Sequence, residues 1–346
     1  MERQVAFLVQ GFKDKGHDVF VYTISPNISF SDRAKVNLPK ETIYPLWRTK
    51  FSIGFSNYLF EYYIKKHEID VLIAFQIGSI ENCNKIKLKL GYPLIVGNIR
   101  GIQYAFNEDL KKRYKKGCNA ADALICNSKA GLHLLKEYVV KSNKIPVLMI
   151  PNIVSTPKVD FLEKRSQFNV LFAASLKEVK DPFTFIKGVA LAIEENPNIY
   201  VSIAGDGVYR KQLEKLVFEK KLQHNINFLG SLIPEKVPYD KASVVVSTSL
   251  REASSNTILE ALANGVCVIG TNVGGTTELL ENQSFGSLID VGESEKLAEL
   301  ILYYSELSSK ELEEKGENAR SFITSNFEKE KIEDTYLRFC EKVMNG

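Results

Sequence analysis

Strand-length apolar runs alternate with amphipathic helical stretches along the whole chain, and near the middle the alternation starts afresh. That pattern constrains the fold more than any other feature. Parallel strands cannot be joined by a tight hairpin, so each pair needs a crossover, usually a helix. In the first half, residues 5–16 read as a helix stopped by Gly16. Strands are expected at 18–23, 70–75, 93–99, 122–127 and 147–150, and helices near 58–66, 80–90 and 129–138. Residues 153–167 are polar and aperiodic, as a linker would be. In the second half, strands are expected at 169–175, 200–205, 225–230, 243–248 and 267–271. Helices alternate with them at 182–195, 209–220, 255–263 and 276–281, and a last helical region begins at Ser294. The reading is α/β, with two doubly wound parallel-sheet domains facing a cleft. The domains are taken as 1–155 and 156–325, with a C-terminal helix, 326–346, packing back on the first. A doubly wound domain normally opens on a strand; this chain opens on a helix.

Composition narrows the classes. The longest apolar runs, such as Val71–Phe75 and Val244–Val246, fall far below the roughly 18 residues of a membrane span. The first residues show no signal-peptide pattern. Five scattered cysteines without a C-x-x-C pair argue against a disulfide framework or a zinc cage, and suit a reducing cytoplasm. Residues 1–165 carry 26 Lys and Arg against 15 Asp and Glu, while the remainder carries 19 against 27. The basic half is therefore expected to face something anionic. Its densest cluster is Lys111-Lys112-Arg113-Tyr114-Lys115-Lys116, which reads equally as a solvated helix face. It lacks the interleaved aromatics of a nucleic-acid module, so no nucleic-acid partner is expected.

Chemistry concentrates in residues 243–280, which read strand, loop, helix, strand, loop, helix. Both loops lie at carboxyl ends of parallel strands, where open α/β sheets bind ligands. Ser254, Ser255, Asn256 and Thr257 are helix-capping residue types ahead of an apolar run, and Gly265 closes the helix. Such a terminus favours a diphosphate through its unpaired N–H groups and its dipole. Glu252 precedes that terminus and Glu260 follows it; a carboxylate can accept hydrogen bonds from vicinal hydroxyls. Thr257-x-x-Glu260 is equally a capping box, which would account for Glu260 without a ligand. Gly205-Asp206-Gly207 follows a strand and is either a nucleotide-side turn or a plain strand-to-helix turn. Arg210 stands where a dinucleotide fingerprint needs a third glycine, which removes the main support for hydride transfer.

Glu252 and Glu260, followed by Ala261-Leu262-Ala263-Asn264-Gly265, resemble the donor motif of glycosyltransferase family 4. Further segments match that family in order: Gly16-His17-Asp18-Val19, Asn127-Ser128, Pro151-Asn152, Lys180-Asp181-Pro182, Gly205-Asp206-Gly207, Phe228-Leu229-Gly230 and Gly274-Gly275-Thr276-Thr277-Glu278. The resemblance covers nearly the whole chain. It implies a GT-B fold and a retaining transfer from a nucleoside-diphosphate-sugar to a glycan or lipid-linked acceptor, as in cell-surface polysaccharide or glycoconjugate synthesis. Glu252 would then hold the donor sugar, Glu260 the ribose, and the N–H groups of Ala253, Ser254, Ser255 and Asn256 the diphosphate. Lys180 would neutralise the departing phosphates. Two positions depart from the family. Ser175 stands where an arginine is usual, five residues before Lys180; Lys177 offers a charge there without arginine's bidentate grip. Arg100 stands where a histidine often lines the acceptor side. Arginine is no base near neutral pH, so Arg100 is expected to bind an anionic acceptor group or the diphosphate. The histidines (His17, His67, His133, His224) show no ligand spacing and read as structural or surface residues.

There is no Asp-x-Asp pair, and Glu293-x-Glu295 reads as a helix start, so no metal or other cofactor is expected. The family places a strand and a Gly-Gly loop before such an opening helix. The true start is therefore expected roughly 15–20 residues upstream of Met1. Expected partners are the nucleotide-sugar donor, the glycan or lipid-linked acceptor and an anionic membrane surface, with the chain cytoplasmic and peripheral at the inner face. Two other classes fit the same motifs: a nucleotide-sugar-binding protein without turnover, or an inactive fragment, and a sugar-nucleotide epimerase.

Overall fold

The computed structural model describes residues 2–23, 43–46, 53–102, 105, 107–140, 145–155 and 167–345. The chain divides into two compact units, Met1–Ile153 with Lys329–Gly346, and Val154–Glu328. The first boundary falls two residues before the expected 155/156, and the return begins at Lys329 instead of 326. Most of the polar stretch 153–167 lies outside the described residues.

The N-terminal unit opens with α1 (Glu2–Asp14), β1 (Val21–Thr23), β2 (Ile43–Pro45) and α2 (Ile53–Lys66). It continues through β3 (Val71–Phe75), α3 (Ile77–Leu90), β4 (Leu94–Ile99), α4 (Glu108–Cys118), β5 (Ala123–Cys126), α5 (Lys129–Tyr138) and β6 (Val147–Met149). β3, β4, β5 and β6 form a parallel sheet in that order, and β1 pairs with β2 in a separate parallel pair. Gly16 takes φ +86°, a left-handed conformation suited to glycine, just past the end of α1. α4 carries the basic cluster, with only Leu110, Tyr114 and Cys118 to mark an apolar period. On it, Arg113 holds Glu81 through Nε at 2.8 Å and Nη2 at 2.6 Å, and Lys111 Nζ lies 3.2 Å from Glu108.

The chain returns to this unit as α12 (Lys329–Met344), which packs against α1. That contact depends on Gly11, because a Cβ there would lie 2.0 Å from the carboxyl carbon of Glu333. Phe12 and Tyr336 meet ring to ring at 6.3 Å, and Lys15 pairs with Asp334 at 2.8 Å.

In the second unit come β7 (Phe168–Ala173), a 3₁₀ turn (Glu178–Lys180), α6 (Pro182–Glu195), β8 (Ile199–Ala204), α7 (Arg210–Glu219) and β9 (Ile226–Gly230). Two short 3₁₀ turns lead to β10 (Val244–Ser247), α8 (Asn256–Ala263), β11 (Cys267–Thr271), α9 (Gly275–Leu280) and β12 (Gly286–Ile289). α10 (Ser294–Glu306) and α11 (Ser309–Asn326) follow. The six strands are parallel, in the order β12-β11-β10-β7-β8-β9. Their near-continuous apolar sequences follow from burial on both faces. Alternate residues serve alternate layers: Val170, Phe172, Val244, Val246, Cys267 and Ile269 pack under α6 and α10. Leu171, Val245 and Val268 pack against α8 and α11. Each fully buried Leu, Ile or Phe here contributes about 1.5–3 kcal/mol. All five cysteines are free and buried.

Candidate functional site

The strand order of the second unit reverses beside β7: α6 carries the chain to β8 on one side, while β10 returns on the other. A reversal of this kind opens a crevice at the carboxyl ends of the two strands. The segments leaving those ends are residues 174–181 and 248–255, and they carry Lys180 and Glu252. Lys180 Nζ donates to Glu252 Oε2 in a half-buried ion pair.

Three bonds stitch the two loops together behind this pair. Thr248 Oγ1 donates to the carbonyl oxygens of Lys180 at 3.0 Å and Asp181 at 2.8 Å, and Leu250 N donates to Val179 O at 2.9 Å. Asp181 sits in the left-handed region at φ 39° and caps α6, accepting from Thr184 N and Oγ1 at 3.2 and 2.6 Å. Pro182 at the first helical position completes a rigid turn. Lys180 is thus held by a backbone with little freedom.

A third loop enters from β11. Gly275 N donates to Glu252 O at 3.1 Å, and a Cβ on Gly275 would lie 1.9 Å from Ala253 O. Only glycine allows this approach. Thr276, fully buried beside it, has a hydroxyl that meets no hydrogen-bond partner among the described residues.

α8 begins at Asn256, with Ser255 as its cap; Ser255 Oγ accepts from Ile258 N at 3.4 Å. The capping-box reading of Thr257 and Glu260 does not hold. Thr257 lies inside the helix and its Oγ1 donates to Ala173 O at 2.7 Å. Glu260 Oε2 instead accepts from Tyr239 Oη at 3.0 Å. Ala253 and Ser255 are buried, whereas Ser254, Asn256 and both glutamates are partly accessible.

Gly205-Asp206-Gly207 serves the turn. Cβ atoms at Gly205 and Gly207 would lie 1.8 Å from Ala174 O and 2.4 Å from Leu176 O, so both glycines let this turn press on the loop carrying Ser175. Asp206 accepts from its neighbour Gly207 N at 2.7 Å and from Arg210 Nη1 at 3.2 Å. Ser175 is partly accessible, and the Lys177 side chain is exposed.

Arg100 belongs to the N-terminal unit, one residue past β4. Its Nε donates to Asn98 Oδ1 at 3.1 Å and its Nη2 to Tyr336 Oη at 2.7 Å; Nη1 donates to Asn152 Oδ1. The guanidinium also lies 5.4 Å from the Phe75 ring centroid. Asn98 donates to Tyr336 Oη at 2.8 Å and Asn127 to Asn152 at 3.2 Å, so Arg100 is the hub of a polar cluster joining β4, β5 and α12.

Of the four histidines only His67 is partly buried; His17, His133 and His224 are exposed. His67 stacks on Phe20 at 4.0 Å and bonds Tyr22 Oη at 3.0 Å through Nδ1, and burial pushes its pKa down. His133 pairs with Glu137 on the same helix. Among the described residues, no group of three His, Cys, Asp or Glu side chains gathers to hold a metal.

Sequence reasoning missed Tyr239 and Thr248. Tyr239 lies in an aperiodic segment, and its bearing on Glu260 exists only once β10 and α8 are folded. Thr248 follows β10 directly, a position where a side chain can reach a neighbouring turn.

A doubly wound parallel α/β unit with a Lys–Glu pair at its switch point is the class that fold and site define. Two family models tile the chain: Glycosyltransferase Family 4 over residues 1–156 and Glycosyl transferases group 1 over residues 157–322. The chain belongs to the family 4 glycosyltransferases, which carry the GT-B fold and transferase activity. It is 26% identical over 295 residues to a Campylobacter jejuni alpha-1,4-N-acetyl-D-galactosaminyltransferase, covering 82% of this chain and 77% of that protein. It is 23% identical to the alpha-monoglucosyldiacylglycerol synthase of Streptococcus pneumoniae, covering 92% and 82%. Among solved structures, Anabaena HepE in complex with UDP and glucose matches with a TM-score of 0.81 at 18% identity, covering 98% of this chain and 95% of that one. Sucrose-phosphate synthase from Thermosynechococcus elongatus matches at 0.83, also at 18% identity, covering 99% and 92%.

Proposed function

We propose that this transferase moves a sugar, with retention of configuration, from a nucleoside-diphosphate-sugar held at the carboxyl ends of β7 and β10 to a glycan or lipid-linked acceptor. The observation that carries the reading is the Lys180–Glu252 pair, stitched across two loops at the switch point. Lys180 offers a positive charge to the diphosphate as it departs, with the N-terminus of α8 on Ser255 adding N–H donors. Glu252 keeps acceptor capacity beyond its bond to Lys180, which suits a sugar's vicinal hydroxyls. Glu260, its rotamer set by Tyr239, is assigned to the ribose. Ala253, Ser254 and Asn256 line the diphosphate, and Ser175 and Lys177 flank it. The family's retaining chemistry needs no protein nucleophile. The C1–oxygen bond to the diphosphate breaks, the acceptor oxygen bonds C1 on the same face, and its proton passes to a departing phosphate oxygen. The lysine and the helix terminus carry the leaving-group charge in this scheme, so no metal is assigned a role.

Names of relatives point the same way for substrates. HepE was crystallised with UDP and glucose, and the Campylobacter and pneumococcal relatives are named for an undecaprenol-linked glycan and a glucosyldiacylglycerol. Among the described residues no helix is long and apolar enough to cross a membrane. A lipid-linked acceptor would therefore be met peripherally, at the cytoplasmic face of an anionic membrane, with exposed Lys112 and Lys116 on α4 toward it. Liposome binding that ignored both anionic lipid and charge removal on α4 would end that part of the proposal. The central test is a panel of nucleotide sugars scored for nucleoside diphosphate release, repeated with Glu252→Ala and Glu260→Ala. Wild-type rates in both variants would place the site elsewhere.

A further inference from the structure

The polar cluster around Arg100 gathers at the carboxyl ends of β4, β5 and β6, and every side chain that Arg100 donates to is neutral. Asn98 and Tyr336 are fully buried, and Asn127 and Asn152 are 5% and 3% exposed. Among the described residues no carboxylate lies within ion-pair distance of Arg100. Arg113, Arg210 and Arg338 differ, for each meets a carboxylate: Glu81, Glu214 and Asp334 in turn.

A structural strut has no need of this charge. A neutral side chain could bond the same partners without the desolvation that a half-buried cation costs. The face of Phe75, 5.4 Å away, attracts a cation but does not neutralise it. What the cluster lacks is a counter-charge, and a bound anion supplies one.

The unused donors select the anion. Nε, Nη1 and Nη2 each make one bond, so one N–H remains on Nη1 and one on Nη2. Asn127 Nδ2 and Arg100 Nη1 both donate to Asn152 Oδ1, which sets the two side chains next to one another. Asn127 Nδ2 carries a second N–H as well. A fork plus one further donor suits the three oxygens of a phosphate better than the two of a planar carboxylate.

The frame around these donors is fixed in advance. Gln4 of α1 clamps the main chain beside Asn152, donating to Ile153 O at 2.7 Å and accepting from Ile153 N at 2.8 Å. Ser128 Oγ accepts from Gly131 N at 3.0 Å and fixes the turn beside Asn127. That turn opens α5, so the positive end of its dipole lies at the same end of the sheet. Little side-chain freedom is left to lose on binding.

We propose that Arg100 and Asn127 form a phosphate subsite, which takes a phosphate or diphosphate monoester carried by the acceptor. The acceptor assignment rests on the proposed function, which gives the donor diphosphate to residues of the other unit; the anion chemistry does not. Calorimetry on the full chain compares glucose 1-phosphate and geranyl diphosphate, a sugar-borne and a lipid-borne source of the group, with methyl glucoside and geraniol. At least one phosphate probe should bind about tenfold or more tighter than its neutral counterpart, and the tighter of the two names the source. Arg100→Lys keeps the charge but loses the fork, and should weaken that binding about tenfold, whereas Lys180→Ala should not. In the unaltered chain the same probe should slow amide exchange at Gly101 and Ser128 about tenfold, a readout that depends on no variant folding. Phosphate probes no tighter than the neutral ones, equal affinity in Arg100→Lys, loss in Lys180→Ala instead, or unchanged exchange at both amides would each overturn the subsite. Nucleoside diphosphate release plays no part in this test, so its failure would remove the acceptor assignment and leave the anion site standing.

Discussion

Replacing Lys180 with alanine separates the catalytic assignment from a structural one. The ion pair with Glu252 is half-buried, with side-chain exposures of 24% and 15%. Exposed pairs contribute about 0.2–1 kcal/mol, and buried ones cost about 3–5 kcal/mol when one partner is removed. At this intermediate burial, and with the loop still fastened through Thr248 and Leu250, the stability loss should be about 1 kcal/mol. The kinetic loss should be larger. A preorganised charge facing charge that develops in the transition state accounts for roughly 100- to 1000-fold in turnover, or about 2.7–4 kcal/mol. Urea unfolding gives the first number, and nucleoside diphosphate release at saturating donor gives the second. Lys180→Arg should recover part of the rate because it restores the charge. The reasoning fails if turnover of Lys180→Ala stays within tenfold of wild type, or if the stability loss matches the kinetic loss.

Tyr239→Phe removes the hydroxyl that donates to Glu260. Donor KM should rise roughly tenfold or more, the worth of one hydrogen bond to a charged carboxylate, with kcat nearly unchanged; an equal fall in kcat would argue against a ground-state role. Gly275→Ala drives a methyl group toward Ala253 O, displacing the Glu252 loop. Donor binding by calorimetry should weaken at least tenfold while the fold persists by circular dichroism, and unchanged binding would show that this loop does not touch the donor. Glu333 is 3% exposed; among the described residues its Oε1 meets no hydrogen-bond donor within bonding distance, Lys329 Nζ standing 3.6 Å away, and burial raises its pKa against the opposing pull of Lys329 and Lys15, with Glu330 raising it further. A raised carboxyl pKa means the folded state binds the proton more tightly, so its stability contribution is complete below the ordinary value and lost as pH rises through the folded one. Glu333→Gln should therefore match wild type near pH 4 and be more stable at pH 7.5 by about 1 kcal/mol. A larger gap at pH 4 in urea titrations would reverse the sign of this argument.

The sheets were legible because parallel strands buried on both faces must be apolar throughout: Val244–Val246 and Val268–Ile269 can be read without any structure. What escaped was short or governed by charge. β2 and β12 have three and four residues, too few for a period, and α4 is so basic that only Leu110, Tyr114 and Cys118 mark a buried stripe. The loop around Glu252 was singled out from residue types, which offered four cap residues, Ser255 and Thr257 among them, without choosing between them. Thr257-x-x-Glu260 has capping-box spacing, but the turn after β10 ends one residue before α8, which makes Ser255 the cap and frees Thr257 to bond Ala173. Arg100 shows what sequence cannot supply. Its position suggested a ligand, and no sequence rule foretells that Asn98, Asn152 and Tyr336 converge on it from three elements.

Arg100 and Ser175, the two positions where the resemblance led us to expect another residue, carry different physical weight. At Arg100 the change brought its own partners: Nε, Nη1 and Nη2 each donate to a side chain of the same unit. A guanidinium has five N–H groups, so two stay outside these bonds. The cluster orients the group as it occupies it. At Ser175 the same loop offers only Lys177, two residues on and exposed. The loop geometry there is nevertheless kept, because it rests on main-chain packing against Gly205 and Gly207 and on the bond from Leu176 N to Asp206 O at 2.9 Å. Loss of an arginine at this place therefore removes charge without removing shape. On the proposed reading, the segments after β7 and β10 would offer the diphosphate one point charge, Lys180, and one helix terminus, stitched together by Thr248 and Leu250. That concentration is why a single substitution at Lys180 should cost this chain more than it would cost a relative with an arginine at the position of Ser175.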